Sequence, residues 1–151
     1  MFPVFFLGLT VLGALLHIWI GKTDVVETFC LYFLVVEVGL QSLYAFVGHY
    51  FISDRVAESI GWPAGNPFQK EIAFTNLAFG VLGVLCIWLR AEFWLATAIG
   101  IAVFWLGASV VHLQDIRTRR NFNPGNAGFI LIADGVMPMV ILGLVLVNRF
   151  H

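Results

Sequence analysis

Five stretches of the chain stay apolar for long enough to cross a membrane. They run over about residues 3–20, 24–51, 67–89, 91–113 and 124–147. A helix rises 1.5 Å per residue, so about 20 apolar residues cross a hydrocarbon core roughly 30 Å thick. The second stretch is longer than this and can tilt or project beyond the bilayer. The pattern predicts an all-α integral membrane protein, a single bundle of five transmembrane helices over residues 1–151. Arg90 and Glu92 mark a turn so short that the third and fourth spans must be antiparallel neighbours.

The polar punctuation supports these boundaries. Asn66-Pro67 and Asn123-Pro124 each place an N-cap residue before a proline at the first helical position. Gln69 then stands at the capping-box position, and Asp24-x-x-Glu27 is a second capping box. Between spans two and three, Ser53 to Ile60 predicts a short interfacial helix with Ser53 as its cap and Asp54, Arg55 and Glu58 on its wet face. Gly61-Trp62-Pro63 forces a turn after it, with Trp62 suited to the headgroup level. Ala73, Asn76, Gly80 and Gly83 form a small-residue stripe on span three, a surface that permits close helix approach in lipid.

Composition agrees with the pattern. Hydrophobic residues make up 60% of the chain and charged residues 11%, against about a quarter charged in soluble domains. A net charge of −1 with no long basic stripe gives no reason to invoke nucleic acid. Cys30 and Cys86 lie in apolar segments without metal-finger spacing and read as buried thiols. The opening Met1 to Phe6 lacks the positive region of a signal peptide, so the first apolar segment is expected to persist as a span. Arg55, Lys70, Arg117, Arg119 and Arg120 fall on one side of the membrane, and Lys22, Arg90 and Arg149 on the other. The positive-inside rule then expects a multi-pass cell-membrane protein with a cytoplasmic N-terminus.

Ionisable residues within the spans are the main functional signal, because charge in a bilayer is costly and tends to face a bundle interior. His49, Glu71, His112 and Asp115 close or open three helices on one side of the predicted topology. Mixed His and carboxylate ligation suits zinc, manganese or iron, so a divalent metal site near the cytoplasmic face is one expectation, with Asp134 behind it. In an enzymatic form Glu71 would be the general base beside that metal, acting on a membrane substrate. The competing expectation is that these groups point to water or cap helices. No HExxH, GxSxG or other catalytic signature is present.

Deeper groups suggest a second function. Glu37 lies 12 residues from His49, about 18 Å further in. Gln41 and Tyr44 continue its face, and His17 falls at a similar depth on span one. A Glu37–His17 pair, or a Glu37 kept neutral by desolvation, is expected. Pro138 cannot donate to the Asp134 carbonyl, which leaves a free acceptor beside a carboxylate. His17, Glu37, Gln41, Asn76 and Asp134 could thus line a polar path for protons or cations, with a homo-oligomer supplying enough helices. A structural or partner-binding subunit, its polar groups serving as interhelical hydrogen bonds, is the third reading. The ligand (ion, lipid or small molecule) stays open.

Glu58-Ser59-Ile60-Gly61-Trp62-Pro63 followed by Pro67-Phe68-Gln69-Lys70-Glu71-Ile72-Ala73-Phe74-Thr75-Asn76-Leu77 resembles the signature segment of a family of small prokaryotic membrane proteins of unassigned function. The resemblance implies a polytopic helical membrane protein in which Gln69, Glu71 and Asn76 belong to the shared motif. It implies no catalytic role.

Overall fold

A computed structural model describes residues 2–150, and every regular element among them is a helix. Helix α1 covers Phe2–Gly21. The second apolar stretch is one continuous rod in three parts: α2 (Val25–Tyr32), a π-helical stretch (Phe33–Leu40) and α3 (Gln41–Phe51). A short α4 (Ser53–Ile60) follows, then α5 (Phe68–Leu85), α6 (Glu92–Arg119), the single turn α7 (Pro124–Ala127) and α8 (Phe129–Phe150).

Four segments are long and apolar enough to cross a membrane: Phe2–Gly21, Val25–Phe51, Glu92–Arg119 and Pro124–Phe150. The expected third span, α5, is not among them. It has 18 residues, and Gln69, Lys70 and Glu71 in its first turn dilute the apolar run. It ends at Leu85, short of the expected 89, because a turn takes over from Cys86. Helix α6 continues to Arg119, beyond the expected 113, so Asp115 lies inside a helix instead of at its end. The last expected span is interrupted at Gly128, between α7 and α8.

The helix ends follow from local chemistry. Asp24 Oδ1 accepts from Glu27 N at 2.8 Å, and Asn66 Oδ1 accepts from Phe68 N at 2.9 Å. Ser53 does not cap α4, which has Ile52 at its N-cap and no side-chain bond there. Gly61 ends α4 with φ +86°, left-handed backbone that glycine adopts without strain.

Packing sets the register of the rods. Helix α1 buries Pro3, Phe6, Thr10 and Ala14, one stripe at helical spacing. It runs antiparallel to the second rod, with Phe6 5.8 Å from the Tyr44 ring and His17 5.8 Å from that of Tyr32. Helix α5 is antiparallel to the same rod. Gln69 meets His49 at one end, Gly80 lies against Leu43, and Gly83 lies against Gly39 and Leu34. Further along, Trp94 Nε1 donates to the Cys86 carbonyl at 2.9 Å. Helices α6 and α8 are also antiparallel, linked by an Arg149–Glu92 contact of 2.6 Å at one end and by Ser109 facing Gly135 further along. Leu34, Val38, Trp94, Ile101, Ile141 and Val145 close an apolar core between them.

Gly39 and Gly83 permit the tightest approach in this packing. A methyl group added at Gly83 would lie 2.6 Å from the Leu34 carbonyl oxygen and collide with the Gly39 backbone. Gly83→Val should therefore force the rods apart and destabilise the fold by about 1–3 kcal/mol or more. Thermal unfolding in detergent measures this. Gly8→Ala, at a position with nothing within 4 Å, should change little.

Candidate functional site

The polar residues form two separate groups at different depths. The first lies where the end of α6 meets the 61–63 turn and the 120–127 segment. His112 and Asp115, 6% exposed each, share one face of α6 at i and i+3. His112 Nδ1 is 2.7 Å from Asn126 Oδ1, and Asn126 Nδ2 donates to the Asn121 carbonyl at 2.8 Å. The second bond fixes which way the Asn126 amide points. Its oxygen faces the ring, so Nδ1 must carry the proton and neutral His112 keeps its lone pair on Nε2. Trp62 stacks on the ring with centroids 5.6 Å apart and 16° between planes.

Asp115 joins the same network. Its Oδ2 accepts from Asn121 Nδ2 at 2.6 Å and from Trp62 Nε1 at 3.0 Å, and its Oδ1 lies 3.3 Å from Arg119 Nε. Asn121 Nδ2 also donates to the Ile60 carbonyl at 2.8 Å. Gly61 is required here for a second reason. A side chain at that position would collide with the amides of Asn121 and Asn123. The carboxylate thus ties the end of α4 and the loop after α6 to one point.

His49 is bonded elsewhere. Its Nδ1–H donates to Gln69 Oε1 at 2.7 Å, so the first turn of α5 supplies an amide as partner. Glu71 is exposed. Two residues turn a helix by about 200°, so Gln69 on the buried face places Glu71 on the opposite one. Among the described residues, no three His, Cys, Asp or Glu side chains are grouped so as to hold a metal ion. The expected four-residue ligand set of His49, Glu71, His112 and Asp115 is not gathered into one, because each buried member has local amide or indole partners.

The second group lies deeper. Glu37 is 1% exposed, on the π-helical stretch, and its Oε2 has no hydrogen-bond partner among the described residues. Gln41 Oε1, Ser42 Oγ and Thr10 Oγ1 are likewise buried without partners. The expected Glu37–His17 pair is not formed. His17 is exposed and packs against Tyr32, more than a turn from Glu37. Asn76 is buried, but its Nδ2 donates to the Ile72 carbonyl of its own helix at 2.9 Å. Asp134 is half-buried next to Gly135, which faces Ser109, whose Oγ is also buried and unpartnered.

Sequence reasoning missed Gln69, Trp62, Asn121 and Asn126 as site residues. Extending the stripe of Ala73, Asn76, Gly80 and Gly83 back by one turn reaches Gln69, so that signal was available. Asn123 read only as an N-cap, and no spacing rule pointed to the bond that Asn121 makes with Ile60, 61 residues away.

These features define a helical protein with several membrane-length apolar helices, polar at one end and at mid-depth. The chain belongs to a family of unknown function (DUF6790), whose model matches residues 1–151. No curated protein and no solved structure matches it.

The tautomer assignment is directly testable. Asn126→Leu removes the acceptor from a buried ring N–H, which costs about 1–3 kcal/mol. The 15N spectrum of the His112 ring should show an Nδ1–H tautomer in the wild type and lose that preference in the variant. A wild-type ring carrying its proton on Nε2 would contradict the assigned network.

Proposed function

We propose that this is a five-span cell-membrane protein that carries a proton or another cation, with Glu37 as its mid-depth binding group. The observation that carries this reading is a carboxylate 1% exposed, with an unpartnered oxygen, far from either helix end. Ionisable groups placed so deep are kept for ion pathways and proton relays, because bilayer burial of charge costs at least about 2.5–3.5 kcal/mol. Further polar groups extend from Glu37 towards one end. Gln41 follows on the same rod, and Asp134, Ser109 and His112 stand towards the same end on α8 and α6.

The fifth span in this proposal is α5. Its 18 residues reach about 27 Å, and it runs antiparallel along the second rod from the level of His49 to that of Trp94. The Lys/Arg distribution then favours a cytoplasmic N-terminus and a cytoplasmic His112 end. Five spans are few for a path enclosed by one chain, and a homodimer supplies the remaining wall. A divalent-metal site using His49, Glu71, His112, Asp115 and Asp134, with Glu71 as general base, has less support, since the two histidines bond to separate amides and Glu71 is exposed.

Two measurements test the proposal. Reporter fusions after Arg120 and at His151 (a residue outside those described) should report opposite sides of the membrane. Both on one side would mean that the segment after Arg120 does not cross and that Asp134 is not placed in the membrane interior. In proteoliposomes with an imposed potential, wild-type protein should pass protons or alkali cations, and Glu37→Gln should lose most of that flux while folding normally. Equal flux in the two proteins would overturn the role of Glu37.

A further inference from the structure

We infer that Thr10, Glu37, Gln41 and Ser42 form an all-oxygen site for a desolvated monovalent cation, an alkali ion that competes with a proton. The inference rests on the proposed role of Glu37 as the mid-depth binding group, and it names what that group takes. Five buried side-chain atoms lack a partner among the described residues, and four of them belong to this set: Thr10 Oγ1, Glu37 Oε2, Gln41 Oε1 and Ser42 Oγ. Their residues are 0%, 1%, 7% and 1% exposed. Buried hydroxyls ordinarily bond back to a carbonyl of their own helix, as Thr28 does to the Asp24 carbonyl at 2.6 Å. Thr10 and Ser42 do not.

The backbone brings the four residues to one level. Residues i and i+4 share a face in an α-helix, but a π-helix bonds i to i+5 and its turn is wider. The Gln41 N–H accordingly reaches the Val36 carbonyl five residues back. At this turn both i+4 and i+5 flank residue i, so Gln41 and Ser42 sit on either side of the Glu37 line. Thr10 comes from the facing helix. Phe6 packs on Tyr44 and Gly13 on Tyr32, and Thr10 lies between them on the buried stripe of α1. Antiparallel register therefore sets it opposite residues near 38, at the level of Glu37.

The ligand follows from the chemistry of the set. A carboxylate, an amide carbonyl and two hydroxyls offer only hard oxygen donors, which suit alkali and alkaline-earth ions over zinc or copper. Charge decides between those two classes. The set carries one negative charge at most, so a monovalent ion leaves the site neutral, whereas a divalent ion leaves a net positive charge in hydrocarbon. No other ionisable group offsets this from the packed neighbours. Helix α5 presents Gly80 and Gly83, α6 presents Ala98 and Ile101, and α8 presents Ile141. The thiols of Cys30 and Cys86 lie in the core towards the Arg90 end, and Asp134 lies towards the His112 end.

The test is binding, independent of flux. A hydrophobic carbodiimide modifies a protonated carboxyl inside a membrane protein, and mass spectrometry locates the product. In purified wild-type protein in choline chloride, Glu37 should be labelled. Replacing choline by Na⁺ or K⁺ at constant ionic strength should slow labelling of Glu37 at least about threefold, as expected when ligand exceeds its dissociation constant. The Ser42→Ala variant, which keeps the carboxyl, should need about tenfold more of the protecting ion, the effect of losing one ligand. Equal labelling in choline, Na⁺ and K⁺ would overturn the alkali site while leaving a proton-carrying Glu37 intact. Absence of labelling at Glu37 in choline would also overturn it, because the carboxyl would then be held by donors within the protein. Protection in a protein that conducts nothing would support the site and refute transport.

Discussion

Hydrocarbon offers no hydrogen bonds, so each polar group in the interior of this protein must find its partner in the protein or go without one. That constraint divides the polar residues into two kinds. At the His112 end nearly every donor and acceptor is engaged: the Asn126 amide by the ring and the Asn121 carbonyl, and the Asp115 carboxylate by an indole, an amide and a guanidinium. Such a network holds α4, α6 and the 120–127 segment in one arrangement, with the His112 Nε2 lone pair left over. Around Glu37 the opposite holds, with acceptors and hydroxyls collected and left unpaired. The first kind is architecture. On the proposed reading, the second is a set of groups whose partner is an ion from outside the chain.

The π-helical stretch links this functional reading to the packing. A regular α-helix over Phe33–Leu40 would place Ser42 away from the face of Glu37. The wider turn is held between two neighbours at close range, α1 on one side and the Gly39–Gly83 contact with α5 on the other. Gly39 and Gly83 bring backbone against backbone, which anchors the stretch where its own hydrogen bonds are least regular. The same two glycines therefore support helix association and, through the shape of the rod, the position of the oxygens.

How much of this was legible in the sequence depends on the range of the interaction. Most helices, the Asp24 cap and the short amphipathic α4 rest on neighbours within a few residues, and they read directly from spacing, whereas α5 starts one residue later than Asn66-Pro67 suggested, with Pro67 at its N-cap and Gln69 turned to His49. The burial of Glu37 read equally well, since a single long apolar run frames it. The π-helical stretch left no signal, because Phe-Leu-Val-Val-Glu-Val-Gly-Leu suits an α-helix as well. The partners of the histidines were misjudged for a different reason. Carboxylates were favoured as partners on charge, but helix phase turns Glu71 outward and Gln69 inward, and the Asn126 amide arrives by a turn whose path no spacing rule gives.

The two ends of the molecule are built differently, and this bears on how a mid-depth ion would move. Between Glu37 and the Arg90 end stand Leu34, Trp94, Ile101, Ile141 and Val145, a packed apolar core whose flanking buried polar side chains, Thr28 and Thr97, are uncharged hydroxyls. Across that end run the ion pairs Glu27–Arg90 and Glu92–Arg149, with every side chain more than 40% exposed. Exposed pairs of this kind contribute little and weaken with salt. Towards the His112 end, by contrast, lie Gln41 on the second rod and Asp134, Ser109 and His112 on α8 and α6. On the proposed reading, Glu37 exchanges with the His112 side in the conformation described. Release on the other side requires the apolar core to part, a motion resisted by packing far more than by its surface ion pairs. A carrier with two conformations fits that asymmetry better than an open channel does.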